Sequence, residues 1–394
     1  MKKVLFLGYV VSPEEANKAS GASVAGNKMQ WNIVHHLSQK ADVTVHCMTI
    51  MPLACFPRDK TILQRAEERE LCEGVISNRI RYINLPIIKQ MSQIISMYQA
   101  AEKAIIEQQI NQIVCFNLFP QVGIPVRWLK RRFPQIPVAC ILADLPIDDN
   151  TKRKGISVWL RKIFEKQTWS SFSVCDKFVV LNKRAAELYL HDKPYIVVDG
   201  GVDETDIACA SKNKVPAEQK NILFCGALTE YNGILNLLEA FKRTPDLELF
   251  LDIYGSGYLE EEVRKAAEID SRIHFYGRVD NRTIMQKQRE AWVLINPRIV
   301  DNLIAQVTFP SKTFEYMLSG TPIISTRLSG YTKEYDDLMI YTGDSVDELM
   351  ETIRLVESMS QDELSAYAQR AMSFVISQKT WKHQVEKISR FLEE

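Results

Sequence analysis

What this sequence lacks narrows its function before anything it contains is weighed. Its eight cysteines include no CxxC or CxxxC pair, which argues against a zinc site or a disulfide framework. They read instead as buried thiols in a reducing compartment. There is no excess of charge: Lys plus Arg and Asp plus Glu number 49 each, so no net field draws the molecule to nucleic acid, and attraction to an anionic surface must be local. No stretch approaches the roughly 18 uninterrupted apolar residues of a membrane span. None of the six histidines has a ligand partner four residues on or a Ser or Cys nucleophile motif beside it, and Asp-x-Asp is absent. Neither a metal site nor a hydrolytic triad is expected. The expected location is the cytoplasm, with room for contact at the inner face of the plasma membrane.

What is present is a soluble globular pattern, 46% apolar and 25% charged over 394 residues. That length exceeds one ordinary core, and two domains of roughly 200 residues follow. The start, "MKKVLFLGYVVSPEE", resembles a signal peptide only briefly, since its apolar run is short, holds Gly8 and ends in acids. It reads as a first strand.

Short apolar runs alternate with helical patterns from end to end, the signature of parallel sheets covered by helices. In the first half the strands are "KKVLFLGYVV", "DVTVHCMTI", "RIRYINLP", "QIVCFNL", "PVACILAD", "KFVVLN" and "YIVVDGGV". Around residues 200–220 the periodicity gives way to "DGGVDETDIACASKNKVPAEQKN", the best linker candidate. The same grammar then restarts with "NILFCGAL", "LELFLDIYGSG", "IHFYGRV", "AWVLINPR" and "TPIIST", with helices between. The expectation is an α/β chain with a first domain over 1–205 and a second over 206–379. The helical segment 380–394 could join either and is assigned to the first. In doubly wound sheets ligands bind beyond the carboxyl ends of the strands, so chemistry is expected in the loops there.

Two helix starts in the second half differ in kind. "YGSG" at 254–257 precedes a helix, but Glu260, Glu261 and Glu262 fill its first turn and would repel a pyrophosphate. Its glycines suit close approach of a base or ribose to the backbone. The helix near Pro310 is the opposite case: Ser311 and Thr313 offer hydroxyls and Lys312 a positive charge, which disfavours the helix alone and makes sense with an anion. Glu315 could accept hydrogen bonds from a ribose diol. The competing reading is a solvated Lys–Glu pair. Arg298 in "INPR" stands past a strand end, as a phosphate contact or a plain surface arginine.

In the first half, the loop "ASGASVAGNK" enters a helix without acids, so Gly21, Ala22, Ser23 and Asn27 could meet an anion or sugar hydroxyls. Asp144 ends a strand as an acid–base candidate or a loop cap. The segment "TKRKGISVWLRKIFEKQTWSSF" sets Ile156, Trp159, Leu160, Ile163 and Phe164 along one helical stripe among Arg153, Lys154, Arg161, Lys162 and Lys166. Such a helix over 152–169 either lies on an anionic membrane or packs its stripe inward.

"FPSKTFEYMLSGTPII", with "ILFCGALTEYNGILNLLEAF", "LDIYGSG", "HFYGRV" and "INPR" in register around it, resembles the retaining glycosyltransferases of family four over most of 220–335. The resemblance implies the GT-B fold, two Rossmann-like doubly wound parallel-sheet domains facing across a cleft. It implies a nucleotide-sugar donor, with Glu315 on the ribose and Ser311, Lys312 and Thr313 on the diphosphate. Gly255, Ser256, Gly277 and Arg278 would border the nucleoside. The acceptor would be a saccharide or polyprenyl-linked saccharide, as in bacterial surface polysaccharide synthesis, and no cofactor or metal is required.

Two departures from the family pattern stand out. Val307 occupies the place of a second Glu, and Ala227 and Asn232 replace the usual Arg and Lys after the first strand of the second domain. The catalytic group is therefore unassigned, with Lys312 and Arg298 as electrostatic candidates. Two other functions remain open: a nucleotide-sugar epimerase of the same architecture, and a non-catalytic nucleotide-binding partner subunit.

Overall fold

The computed structural model describes residues 1–145, 156–210, 219–301, 303–310 and 312–394. It divides into two compact units, one of Met1–Gly200 with Trp381–Glu394 and one of Gly201–Thr380.

The first unit is organised by its first strand. Lys2–Gly8 buries Val4 to Gly8 without interruption because both faces of its sheet are covered. Val4 and Phe6 enter one hydrophobic core and Leu5 and Leu7 the other. Eight strands line up in the order Tyr195–Val197, Lys177–Val180, Val138–Leu142, Gln112–Phe116, Lys2–Gly8, Val43–Thr49, Val75–Arg79, Glu67–Cys72. The helix Trp381–Glu393 closes one face, burying Trp381, Val385 and Ile388. Its final carbonyls are met by cations from the sheet: Lys2 Nζ donates to Leu392 at 2.8 Å and Lys177 Nζ to Phe391 at 2.8 Å. Cations suit that end of a helix.

Two elements here differ from the sequence expectation. "RIRYINLP" is not one strand: the main sheet stops at Arg79, and Tyr82–Ile83 pairs antiparallel with Leu63–Gln64 in a separate two-stranded ribbon. The edge strand Glu67–Cys72 was not expected at all, and it runs antiparallel to Val75–Arg79. Its charged sequence conceals it. A sheet edge facing water takes charged residues, which also discourage pairing with another chain.

The second unit holds six strands, all parallel, in the order Ile273–Gly277, Phe250–Ser256, Asn221–Ala227, Val293–Asn296, Ile323–Thr326, Ile340–Thr342. Numbered along the unit this is 3-2-1-4-5-6, a doubly wound arrangement whose direction reverses between Asn221–Ala227 and Val293–Asn296. One face carries the core of Ile222, Phe224, Leu251, Ile253, Val293 and Ile295. Lys312–Leu318 packs on Gln361–Gln378 and Glu204–Ala210. No helix among the described residues is long and apolar enough to cross a membrane.

Candidate functional site

The reversal of strand order in the second unit leaves the carboxyl ends of Asn221–Ala227 and Val293–Asn296 side by side, and the strongest candidates gather there. Arg298 lies two residues past the second strand. Its loop is fixed by the turn Glu230–Asn232: Ile299 N–H donates to the Tyr231 carbonyl at 3.0 Å and Val300 N–H to the Asp344 carboxylate at 2.7 Å. The turn ends at Gly233, whose φ is +73° and where a Cβ would stand 1.7 Å from the Pro297 carbonyl oxygen. Only glycine permits that approach.

Held this way, the Arg298 guanidinium lies 5.8 Å from the centroid of the Tyr231 ring. Its Nε is buried and has no hydrogen-bond partner among the described residues. Burial draws its pKa below the ordinary arginine value, opposed by Tyr331, Tyr231 and Tyr316, and no carboxylate acts on it. Arg298 is half-buried, so its guanidinium has lost part of its hydration without gaining a counter-charge, and an anion arriving there would supply one.

Lys312 opens the seven-residue helix Lys312–Leu318. Its Nζ stands 3.4 Å from Glu315 Oε2, each side chain 37% exposed, so the two charges placed one turn apart form an ion pair. Burial lowers the Lys312 pKa, but the Glu315 carboxylate and the Cys225 sulfur outweigh it and the net shift is upward. The ammonium stays charged. The Cys225 thiol is pushed up by burial against the pull of Lys312, so it stays protonated.

Behind these charges is a fixed polar wall. Tyr316 OH accepts from Cys225 N–H at 3.0 Å and donates to the Cys225 carbonyl at 3.2 Å. Thr313 Oγ1 lies 2.9 Å from Tyr331 OH, which also accepts from Asn296 Nδ2 at 3.3 Å. A small cavity is lined by Asn296, Lys312, Thr313, Tyr316, Ser325 and Tyr331. Arg298 and Lys312 therefore converge on one strand-end region with Glu315, while the Thr313 hydroxyl faces inward. Ser311 lies outside the described residues.

The remaining candidates of the second unit border the same sheet. Gly226 and Gly255 are paired across adjacent strands, and a Cβ on Gly255, at φ +146°, would stand 1.8 Å from the Gly226 oxygen. The close approach at this glycine is thus by the protein's own backbone. The Ser256 carbonyl accepts from Leu228 N–H at 3.0 Å. Gly277, at φ +67°, has open space around it, and Arg278 beside it is exposed. Glu260 and Glu261 at the next helix start pair with Arg264 at 2.7 Å and Lys265 at 3.8 Å.

Positions that depart from the family pattern have structural employment. Asn232 Nδ2 closes its own turn on the Ala227 carbonyl at 2.7 Å. Val307 is buried, 6% exposed, at the end of the short helix Leu303–Val307.

In the first unit, Ser23 caps the helix Val24–Ser38, accepting from Gly26 N–H at 3.2 Å. The Asn27 amide is spent on the strand-end loop, with Val11 N–H at 2.9 Å and the Val11 carbonyl at 3.0 Å. Gly21 is needed because a Cβ would meet Leu53 at 2.8 Å. Ala22 follows it, half-buried. Asp144 accepts from Asn117 Nδ2 at 3.1 Å, and desolvation raises its pKa against that bond. Of the segment 152–169, residues 152–155 lie outside the described residues. Farther on, Thr168 is buried, and Trp169 stacks with Phe172 and Tyr189.

Sequence reasoning did not select Tyr316, Cys225, Tyr231 or Tyr331, yet they shape the site. The one available signal was position: Tyr316 follows Glu315 directly and Tyr231 precedes the Asn232–Gly233 turn. What they touch lies elsewhere in the sequence: Tyr316 and Cys225 are 91 residues apart, and Tyr331 and Asn296 are 35 apart.

Comparisons with known proteins agree with this arrangement. Residues 219–358 match the family model described as glycosyl transferases group 1. The sucrose-phosphate synthase of Thermosynechococcus elongatus is similar at TM-score 0.71 and 14% identity, over 100% of this chain and 98% of that one. A glycosyltransferase of Rickettsia africae gives TM-score 0.66 and 13% identity, over 100% and 98%. The Escherichia coli "Trehalose-6-phosphate" structure bound with UDP-2-fluoro glucose gives TM-score 0.64 and 10% identity, over 100% and 99%. No curated protein sequence matches the chain. The fold is GT-B, with parallel sheets in two Rossmann-like units, and the match to the group 1 glycosyl transferase model falls in the second unit.

Proposed function

We propose that the protein is a glycosyltransferase that moves a sugar from a nucleotide-sugar donor, held by the second unit, to a saccharide or lipid-linked saccharide acceptor. The observation that carries this reading is Arg298: a half-buried guanidinium, its Nε enclosed without a partner and no carboxylate among the described residues acting on it, at the strand reversal, in the unit that matches the group 1 glycosyl transferases. A donor diphosphate is the counter-charge it lacks. Lys312 adds a second cation, and Glu315 is placed to accept the ribose hydroxyls if the donor displaces it from Lys312.

The chemistry follows from charge. As the donor C1–O bond breaks, the sugar becomes oxocarbenium-like and negative charge builds on the departing diphosphate. Fixed cations then gain more in the transition state than in the ground state. This scheme uses no metal. Retention at the anomeric carbon, a role in cell-surface polysaccharide or glycoconjugate synthesis, and action at the inner face of the plasma membrane are parts of the proposal that rest on the family resemblance. Gly277 and Arg278 are proposed to border the nucleoside, and the 21–27 loop with Asp144 to serve the acceptor.

One observation favours a second reading. Val307 is buried and Asn232 is bound to its own turn, so two contacts usual in the family are absent. A chain that binds nucleotide without turnover would tolerate this.

The test is a thermal-shift and turnover screen of UDP-, GDP-, ADP- and TDP-sugars on the wild type, Lys312→Ala and Glu315→Ala. A melting shift with at least one nucleotide, reduced in both variants, is expected. No shift with any donor, or equal shifts in all three proteins, would sink the donor site. Release of nucleotide only when a saccharide acceptor is added identifies transfer. Isomerisation of the donor without acceptor identifies the epimerase, and binding without turnover the partner subunit.

A further inference from the structure

The first unit carries an apolar surface that nothing in the donor reading uses. It begins at the two-stranded ribbon, where Leu63 and Ile83 are direct cross-strand partners. Partners in a ribbon project to the same side. These two are 55% and 38% exposed, while the neighbouring Tyr82 is buried on the opposite side. The helix Ile88–Gln108 starts five residues after Ile83 and packs against that strand, with Ser92 Oγ accepting from Ile83 N–H at 3.1 Å. Along this first part of the helix, Ile88, Met91 and Ile95 form an exposed stripe at spacings of three and four.

At the helix entrance stands Ile87. Its φ of +69° and ψ of −51° form a three-residue turn closed by Ile88 N–H on the Pro86 carbonyl at 2.8 Å. That conformation is rare and strained, more so for a β-branched side chain. The result is an isoleucine 85% exposed at the tip of the surface. Strain held in this way points toward function.

Cations outnumber acids at the ribbon and the helix entrance. Arg58, Lys60, Arg65 and Arg81 are exposed, and none has an ion pair among the described residues. The acid among them, Asp59, is bonded to Ser20 Oγ and to Thr61 N–H at 2.9 Å. The acids of the adjoining edge strand begin at Glu67, which is paired with Arg69 and Arg79, and continue with the exposed Glu68 and Glu70 farther from the ribbon.

We propose that Leu63, Ile83, Ile87, Ile88, Met91 and Ile95, with the cations around them, dock the protein on an anionic lipid bilayer. Exposed apolar side chains enter the headgroup boundary while nearby Lys and Arg meet anionic lipid. A protein partner would need no such surplus of cations, and a second copy would bring like charges together. This surface is separate from the basic segment 152–169 and does not depend on the donor site.

The test uses the full chain and vesicle flotation. Vesicles of phosphatidylcholine with about a third phosphatidylglycerol bind the wild type, and phosphatidylcholine alone binds it far more weakly. Ile87→Ser with Met91→Ser reduces binding about tenfold, and Leu63→Ser with Ile95→Ser repeats the loss through other positions. Lys60→Glu with Arg81→Glu removes the preference for anionic vesicles, as does high salt. Ile269→Ser, an 83% exposed residue of the second unit, binds as the wild type. Melting temperature and nucleotide response stay unchanged in the surface variants, which separates this outcome from failure of the donor site. No binding by the wild type, or binding equal in all variants, would overturn the proposal. So would a concentration-dependent dimer that Ile87→Ser with Met91→Ser breaks.

Discussion

The hydroxyl of Tyr316 is bonded to both backbone groups of Cys225, accepting from its N–H at 3.0 Å and donating to its carbonyl at 3.2 Å. One side chain of the helix Lys312–Leu318 thereby sets that helix against the carboxyl end of Asn221–Ala227 and fixes where Lys312 and Glu315 stand. Tyr316→Phe removes both bonds and leaves two enclosed polar groups without a partner. The expected cost is about 1–3 kcal/mol, read as a lower melting temperature, with weaker nucleotide binding because Lys312 is no longer fixed.

Arg298→Met separates stability from binding. Replacing a half-buried cation that lacks a counter-charge by an apolar side chain of similar length leaves the nucleotide-free protein at least as stable, with a gain of at most about 1 kcal/mol. The same change removes a charge-assisted contact, so nucleotide affinity falls roughly tenfold to a hundredfold. Melting temperatures with and without nucleotide measure both. If the variant loses stability and keeps its affinity, Arg298 is a structural residue.

Gly233→Ala tests how Arg298 is held. A side chain at φ +73° costs about 1–2 kcal/mol, and its Cβ would collide with the Pro297 carbonyl. The expected result is a lower melting temperature together with a smaller nucleotide shift. Ala at Asn281, a helix start remote from this contact, should leave the nucleotide shift intact.

Glu15 predicts a pH dependence in the first unit. Burial raises its pKa, but the hydrogen bond and charge of Arg79, 2.6 Å away, with help from Ser12, bring it below the ordinary value of 4.5. A group with a depressed folded pKa contributes stability above its unfolded value and loses it as pH falls through the folded one. Glu15→Gln is therefore expected to melt below the wild type at neutral pH. The gap closes as pH drops below 4.5. A gap that is constant with pH would mean that the carboxylate charge is not what Arg79 needs.

The legible and the hidden parts of this protein differ for physical reasons. Period and turn chemistry revealed the parallel strands other than Val75–Arg79 and Ile340–Thr342, because a strand covered on both faces is a short apolar run whatever surrounds it. The edge strand Glu67–Cys72 escaped because one exposed strand of charged residues reads locally as a loop. At the site, Lys312, Glu315 and Arg298 were legible as charges in positions where a helix start or a strand end does not need them. The "YGSG" stretch also hid a packing role: Gly255 makes room for the Gly226 carbonyl on the neighbouring strand.

The sequence by itself determined two restarting α/β units and a short list of charged strand-end residues. All of these follow from local periodicity, turn residues and composition. Only the tertiary structure decided which of those charges are satisfied. Lys312 and Glu315 answer each other, being one helical turn apart, while Arg298 is left half-buried beside Tyr231 without a counter-charge among the described residues. Desolvation depends on what the rest of the chain brings alongside, and no window of sequence contains it.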